Sequence, residues 1–525
     1  MTQPTGVDQT GVFAFLQDPR THGLREAVTR IDTHGAAVFL AGPDVYKVKR
    51  AVRFPFMDFS TLERRHAACK AEIVVNRTNA PGLYLGVVPI TLDEAGFHLD
   101  GKGPVVEWAV HLRRFDEAAT LDRLADQAPL GSDLADKLAR AVLAAHQASP
   151  HRDGDTATRV LRRLLTETVD ELARTGDVFP REAVSAFGSE LSRTFDRAEP
   201  LLLRRAAQGQ VRRCHGDLHL GNLVLIDGAP VLFDAIEFDD SIATSDILYD
   251  LAFLIMDLCE RGRRADANHL LNRYISLSDD EALQIEGLSA LPLFLSLRAA
   301  IRAKVIAARL RQNPQRGSLR DEALAYFRAA TSFLAPVAPF LLGIGGLSGT
   351  GKTSLATELA PEIGAAPGAL HLRSDVERKR LFAVAETTRL SVESYRPEVS
   401  TKVYARLNHL AAIALEAGRV VILDATYQQP TDRDAIAGAA AKARVPFAGI
   451  WLDGPVDLLM RRVADRLGDA SDATATIVMA QAREQVGAIS WNRLDATQTL
   501  ADLKRAALAL TPGNGPLASA RKPAS

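Results

Sequence analysis

The run AAVFLAGPDVYKVKR, Ala36 to Arg50, sets two β-rich segments around a Gly-Pro-Asp turn, which predicts a hairpin. In STLERRHAACKAEIVVNRTN, Ser60 to Asn79, apolar residues recur at helical spacing, and a strand-like run follows to Ile90. VVEWAVHLRRF, Val105 to Phe115, predicts one more strand, so this part is expected to be a small sheet carrying one helix. Residues 1–35 are expected to form a helical extension ahead of it. Leu121 to about Ala207 reads as mostly helical, with a polar break at SPHRDGDTATR. Two short strands, NLVLI and PVLFD, then flank Asp227-Gly228-Ala229, a hairpin signal, before helices resume to about Phe333.

Beyond the Pro/Ala-rich LAPVAP the pattern changes to strands alternating with helices: FLLGIGG, TSLATELAPEIG, ALHLRSD, a long helix, RVVILDAT, another helix and FAGIWLD. That alternation predicts an α/β domain on a parallel sheet. The expected organisation is an α+β two-lobed domain over 36–333, with lobes of about 36–115 and 116–333, then an α/β domain over 338–511 and a disordered tail over 512–525.

Composition fits this division. A chain of 525 residues exceeds what one core usually serves, and 47% hydrophobic with 24% charged residues is globular in character. Lys and Arg total 63 against 64 Asp and Glu, so no overall field favours nucleic acid or an anionic membrane. Cys69, Cys214 and Cys259 are far apart and form no CxxC pair, which argues against disulfides or a zinc ribbon and for a reducing, cytoplasmic setting. The first residues lack the basic start and apolar core of a signal peptide. No apolar run reaches the roughly 18 residues of a membrane span.

Gly346-Leu347-Ser348-Gly349-Thr350-Gly351-Lys352-Thr353 matches GxxxxGK[ST] between an apolar strand and a helix. In that setting the backbone N–H groups face phosphate oxygens, Lys352 reaches the β/γ-phosphates and the Thr353 hydroxyl can ligate Mg²⁺. Asp424, closing RVVILDAT, stands where a second ligand-holding carboxylate is expected. LHLRSDVERKRL is read as a strand ending at Ser374-Asp375, with Ser374 capping the helix. Asp375 and Arg378 then share one helix face near the carboxyl ends of the strands. Asp375 is the candidate base for an acceptor hydroxyl and Arg378 the candidate substrate-holding residue.

These three segments together resemble the small-molecule P-loop kinases of the gluconate kinase and chloramphenicol phosphotransferase type, over about Phe340 to Leu510. The resemblance implies ATP, and lid arginines that neutralise the migrating phosphoryl group. Arg462 and Arg466 are offered by MRRVADRLGD, with Arg466 the candidate. Solvated arginines paired to Asp465 or Asp469 are the plainer alternative.

Arg212 to Asp240 reads RRCHGDLHLGNLVLIDGAPVLFDAIEFDD. Cys214, His215, Asp217 and His219 lie too close in sequence to converge on a tetrahedral metal. A hairpin with incidental charges does not account for Asp217 and Asn222 five apart before the turn and Asp234 after it. Phosphoryl transfer uses such a set: a carboxylate beside the acceptor hydroxyl, and an amide oxygen with a second carboxylate for metal.

HGDxxxxN with the later Asp resembles the aminoglycoside phosphotransferase family, protein-kinase-like enzymes, over roughly Ala36 to Phe333. The resemblance implies Asp217 as catalytic base, Asn222 and Asp234 as metal ligands, His215 as a residue fixing the loop and Asp250 as its support. A strand Lys held by a helix carboxylate is also implied. Lys47 is the candidate with Lys49 as runner-up, since alternation puts both on one face. Glu72 is the preferred partner and Glu63 the alternative. No GxGxxG precedes Lys47, and Ala235-Ile236 follow Asp234 where Phe-Gly is usual. His219, Glu237, Asp239 and Asp240 stay unassigned.

The expectation is a bifunctional ATP- and Mg²⁺-dependent phosphotransferase acting on small-molecule hydroxyl acceptors, without nucleic-acid or membrane partners. The alternatives are a nucleotide- or ligand-sensing role for one domain, or a P-loop domain acting as a simple ATPase or polynucleotide kinase. Asp217, Asn222 and Asp234 argue against a dead first domain, Lys352 with Thr353 argue that the second binds ATP, and nucleic-acid phosphorylation lacks a basic stripe or aromatic platform in its support.

Overall fold

The computed structural model describes residues 3–4, 8–54, 57–312, 317–465 and 470–512. The chain packs as two compact units, Met1–Gly188 with Glu199–Arg261, and Ser189–Ala198 with Gly262–Ser525. The 334–339 segment lies inside the second unit.

In the first unit a helix, α1 (Thr10–Gln17), precedes a six-stranded antiparallel sheet. Its strands are β1 (Thr29–Asp32), β2 (Ala36–Ala41), β3 (Asp44–Lys49), β4 (Tyr84–Asp93), β5 (Gly96–Leu99) and β6 (Val105–Arg113), in the order β1-β2-β3-β6-β4-β5. Alternation divides the residues between the two faces. Phe39, Val48 and Ala109 pack with Val12 and Leu16 of α1, whereas Val110 packs with Cys69 of helix α2 (Leu62–Arg77) and with Val224. The described residues between 8 and 35 differ from the helical extension expected over 1–35. Beyond α1, Thr29–Asp32 pairs with β2 as an edge strand, and Gln9 donates to Lys49 O (2.9 Å) and Glu107 Oε2 (2.7 Å). These backbone and carboxylate partners lie outside the segment, so its local pattern did not announce them.

After the sheet in chain order come α3 (Gly131–Ala148), α4 (Gly154–Ala173), α5 (Arg181–Ala207) and α6 (Ile247–Glu260), interrupted by two small antiparallel pairs. Strand β7 (Val211–Arg213) pairs with β10 (Thr244–Asp246), and β8 (Leu223–Ile226) with β9 (Ala229–Leu232). The β8-β9 turn holds Asp227 at φ 50° and Gly228 at φ 75°, the two positive angles of a type I′ turn.

The second unit begins with α7 (Arg264–Leu277), α8 (Glu281–Gly287), α9 (Leu291–Gln312) and α10 (Ser318–Phe333). An alternating β/α segment follows: β11 (Leu341–Gly346), α11 (Lys352–Leu359), β12 (Leu370–Arg373), α12 (Ser374–Leu381), α13 (Pro397–Glu416), β13 (Val421–Asp424), α14 (Pro430–Lys442), β14 (Phe447–Asp453), α15 (Val456–Ala464), α16 (Ala475–Arg483), β15 (Asn492–Asp495) and α17 (Leu500–Ala509). The five strands form a parallel sheet in the order β12-β13-β11-β14-β15. Leu342, Ile344, Ile422 and Ile450 join Leu355 and Leu359 of α11 in its core. Among the described residues no helix is long and apolar enough to cross a membrane. The expected disordered tail falls almost wholly outside the described residues.

Candidate active sites

In the first unit, β3 and α2 bring a buried charge cluster together. Lys47 Nζ lies 2.9 Å from Glu72 Oε1 and 2.5 Å from Asp234 Oδ1. Lys49 Nζ lies 2.5 Å from Glu72 Oε2 and also pairs with Glu237. Glu72 thus bridges both lysines, while Glu63, on the exposed first turn of α2, takes no part. Burial alone would push the Glu72 carboxyl up, but the two ammonium groups outweigh it and hold the carboxyl below its ordinary range. The Lys47 ammonium shows the reciprocal effect: burial opposes its charge, and Asp234 and Glu72 more than restore it. Asp234 is further fixed by its backbone N–H donating to Tyr84 Oη (3.0 Å), and its neighbour Ala235 donates to Asn76 Oδ1 (2.7 Å).

The Asp217 loop is anchored from below. Asn222 Nδ2 donates to Asp217 O (2.9 Å) and to its Oδ2 (3.1 Å), which brings carboxylate and amide together. Asp250 on α6 is fully buried and accepts from the backbone N–H of His215 (3.2 Å) and of Gly216 (2.9 Å), with His146 Nε2 at 3.2 Å. Asp257, two turns on, accepts the Leu220 N–H at 3.0 Å. His215 Nε2 lies 2.9 Å from Phe233 O, and burial keeps the ring's pKa below the ordinary value. Metal-ligand atoms of His146, Cys214 and Asp250 lie within 4.8 Å of one another. The Asp250 oxygens there already serve the loop's N–H donors, so the triad is read as a hydrogen-bonded knot.

In the second unit the Gly346–Thr353 loop curls between β11 and α11. Gly346 has φ 138°, and a Cβ there would stand 2.5 Å from Leu452 O, so only glycine fits this turn. Lys352 Nζ donates to Leu347 O (3.0 Å), the Ser348 N–H donates to Gln481 Oε1 (2.9 Å), and Thr350 Oγ1 donates to Leu347 O (2.8 Å). Thr353 Oγ1 donates to Asp424 Oδ2 at 2.6 Å, with His371 Nε2 3.4 Å from the same oxygen. Burial opposes ionisation of Asp424, yet His371, Lys352 and Arg373 bring its pKa down to about 2. At Asp375 burial wins, and its pKa is raised despite Arg373.

The structure therefore joins Lys47, Glu72 and Asp234 in one cluster, Asp217 with Asn222 in another, and Thr353 with Asp424 beside Lys352, Gly349 and Gly351. Arg378 sits differently from expectation. It is buried, donating to Ser394 O (2.8 Å) and Ser400 Oγ (3.3 Å) with its guanidinium over the Tyr395 ring, so it organises the segment ahead of α13. Ser374 is the first residue of α12 and caps nothing; the cap position is Arg373. Arg462 is half-buried on α15, and Arg466 lies outside the described residues. Sequence reasoning missed Glu237, Tyr84, Asn76, Asp257 and Gln481. Only Glu237 carried a signal, as an acidic residue three beyond Asp234; the others act through tertiary contacts.

Two lobes built around Lys47, Glu72 and Asp217, and a parallel sheet whose Gly-rich loop opens a helix, define a chain of two ATP-dependent phosphotransferase-type domains. Residues 80–285 match the phosphotransferase enzyme family and residues 341–486 match the AAA domain. The chain is 30% identical over 472 residues to uncharacterized proteins of Mycobacterium tuberculosis and Mycobacterium bovis, covering 88% of this chain and 91% of theirs, and it belongs to their family. Similar solved structures include a choline/ethanolamine kinase family protein from Mesorhizobium loti (15% identity, 61% of this chain and 92% of that chain, TM-score 0.38). Another is a gluconokinase from Sinorhizobium meliloti (20% identity, 33% of this chain and 90% of that chain, TM-score 0.24).

Proposed function

We propose that the chain is a bifunctional kinase, each centre moving the γ-phosphoryl group of ATP to a hydroxyl of a small molecule with Mg²⁺. The observation that carries this reading is that each unit holds its own set of lysine, carboxylates and hydroxyl or amide oxygens: Lys47, Glu72, Asp217, Asn222 and Asp234 in one, Lys352, Thr353, Asp375 and Asp424 in the other. Carboxylate, amide and hydroxyl oxygens suit a hard divalent cation. Asn222 and Asp234 would hold it in the first unit, Thr353 and Asp424 in the second. Bound there, the cation supplies charge neutralisation of the phosphate oxygens.

The chain's own groups do the rest. Lys47, set by Glu72, orients the phosphates in the first centre, and Lys352 with the loop N–H groups does so in the second. Asp217 and Asp375 accept the acceptor's hydroxyl proton as its oxygen bonds to the γ-phosphorus and the bond to ADP breaks. The raised pKa of Asp375 makes it the stronger base when ionised. A cytoplasmic location belongs to this reading, since ATP is at hand there and the three thiols stay reduced. The test is phosphoryl transfer from γ-labelled ATP to a panel of sugars, amino sugars and amino alcohols by the parent protein, Asp217→Asn and Lys352→Ala. Each variant is expected to lose a different subset of labelled products. Loss of none by either variant refutes the reading.

A further inference from the structure

Strand β12 is the edge of the parallel sheet, where backbone N–H and C=O groups ordinarily face outward unpaired. In this chain α7 takes them up with side-chain amides. Asn272 Oδ1 accepts the His371 N–H at 2.7 Å, and Asn268 and Asn272 donate to Ala369 O at 3.0 and 3.2 Å. Arg264 donates to Gly364 O (2.9 Å) and Pro367 O (3.1 Å) in the loop leading into the strand. The helix that follows directly, α12, is held at its other end. Arg380 donates to Ser278 O (3.1 Å) and to Ser276 O, just ahead of α8. Glu377 of α12 and Glu281 of α8 are both buried, and Arg406 of α13 joins them, 2.5 Å from Glu377 Oε2 and 3.1 Å from Glu281 Oε2. Arg380 is the other cation facing the pair, 3.7 Å from Glu281 and 3.8 Å from Glu377.

The segment so gripped carries His371, Asp375 and Arg378. We propose that Asn272 and Glu281 are positioning residues of the P-loop centre, setting the register of β12 and the angle of α12 so that Asp375 meets the acceptor and His371 meets Asp424. Both residues lie outside 341–486 and inside 80–285, so one catalytic centre is trued by the part of the chain that matches the other family. The inference rests on the reading of Asp375 as the base. Displacing a reacting group by about an ångström costs on the order of a hundredfold in rate while leaving nucleotide binding in place. The paired carboxyls add a pH signature. Burial and the Glu377 charge raise Glu281 to about 8, so the Glu281 carboxyl takes up its own charge only as the pH rises through that value.

The experiment uses the full-length protein with Asp217→Asn, following ADP formation from MgATP with water as acceptor and binding of a fluorescent ATP analogue. For Asn272→Ala and Glu281→Ala, kcat is expected to fall by roughly tenfold or more, with analogue affinity changed less than about threefold. Glu281→Gln, whose amide still donates to Glu377, is expected to keep the parent's kcat and to lack the decline expected of the parent above about pH 8. Unchanged kcat in both alanine variants overturns the inference. So does a parallel fall of affinity and kcat that Glu281→Gln fails to rescue, since that marks general structural supports. Lys352→Ala is the separate control: if it retains full ADP formation, the reading of the P-loop centre fails, whatever Asn272 and Glu281 do.

Discussion

Replacing Asp250 by alanine is the sharpest perturbation of the first centre that touches neither nucleotide nor acceptor. It strips the acceptor from three buried donors, the His215 and Gly216 N–H groups and the His146 ring. A buried donor left unsatisfied costs about 1–3 kcal/mol, and partial relaxation of the loop recovers some of it, so a loss of roughly 3–5 kcal/mol is expected. Against a domain stability of about 5–15 kcal/mol that is a large fraction. The same loop carries Asp217, so kcat should fall by about a hundredfold. KM for ATP should change little, because the Lys47–Glu72 pair is built on β3 and α2. The assays are urea unfolding followed by fluorescence, and steady-state turnover in a Lys352→Ala background that silences the P-loop centre. Asp250→Asn, which keeps one acceptor oxygen, should fall between parent and alanine variant in both. An alanine variant within 0.5 kcal/mol of the parent, roughly the size of an ordinary surface change, with turnover within twofold, refutes the anchoring role.

Other outcomes follow from the same contacts. Lys49→Ala leaves Glu72 and Glu237 in a buried pocket with one cation fewer, and should cost about 3–5 kcal/mol in unfolding experiments; Lys47→Ala should instead show chiefly as lost kcat, because it also frees Asp234. Gly346→Ala forces a Cβ against Leu452 O at a positive φ, so nucleotide-analogue binding at the P-loop should disappear while turnover by the first centre persists. Asp424 is depressed from 3.8 to about 2, so its contribution to stability is complete above pH 3.8 and is lost as pH falls towards 2. Asp424→Asn should therefore flatten the acid limb of the second unit's unfolding curve over that window.

Much of this was legible in the chain because local pattern and site coincide. The Gly346–Thr353 loop lies between its own strand and helix, and the Asp217, Asn222 and Asp234 positions are set by one loop and one tight hairpin. The choice between Lys47 and Lys49 was not legible, and the reason is physical: both side chains leave the same face of β3 and both reach Glu72, so the cluster uses them together. Residues 29–32 pair as a strand only because β2 offers them a partner. Arg378 lies on α12 three residues after Asp375, but its guanidinium is taken up by Ser394 O and Ser400 Oγ, 16 and 22 residues further along the chain. Asn272 and Glu281 lie a hundred residues or so from what they hold, and no periodicity records such contacts.

Two separate phosphoryl-transfer centres in one chain are what the proposed function requires. Its most direct test is ADP and labelled-product formation by Asp217→Asn, Lys352→Ala and the double variant under one set of conditions. Each single variant is expected to keep the activity of the other centre, and the double variant to keep none. Residual turnover in the double variant, or loss of all turnover in either single one, contradicts it.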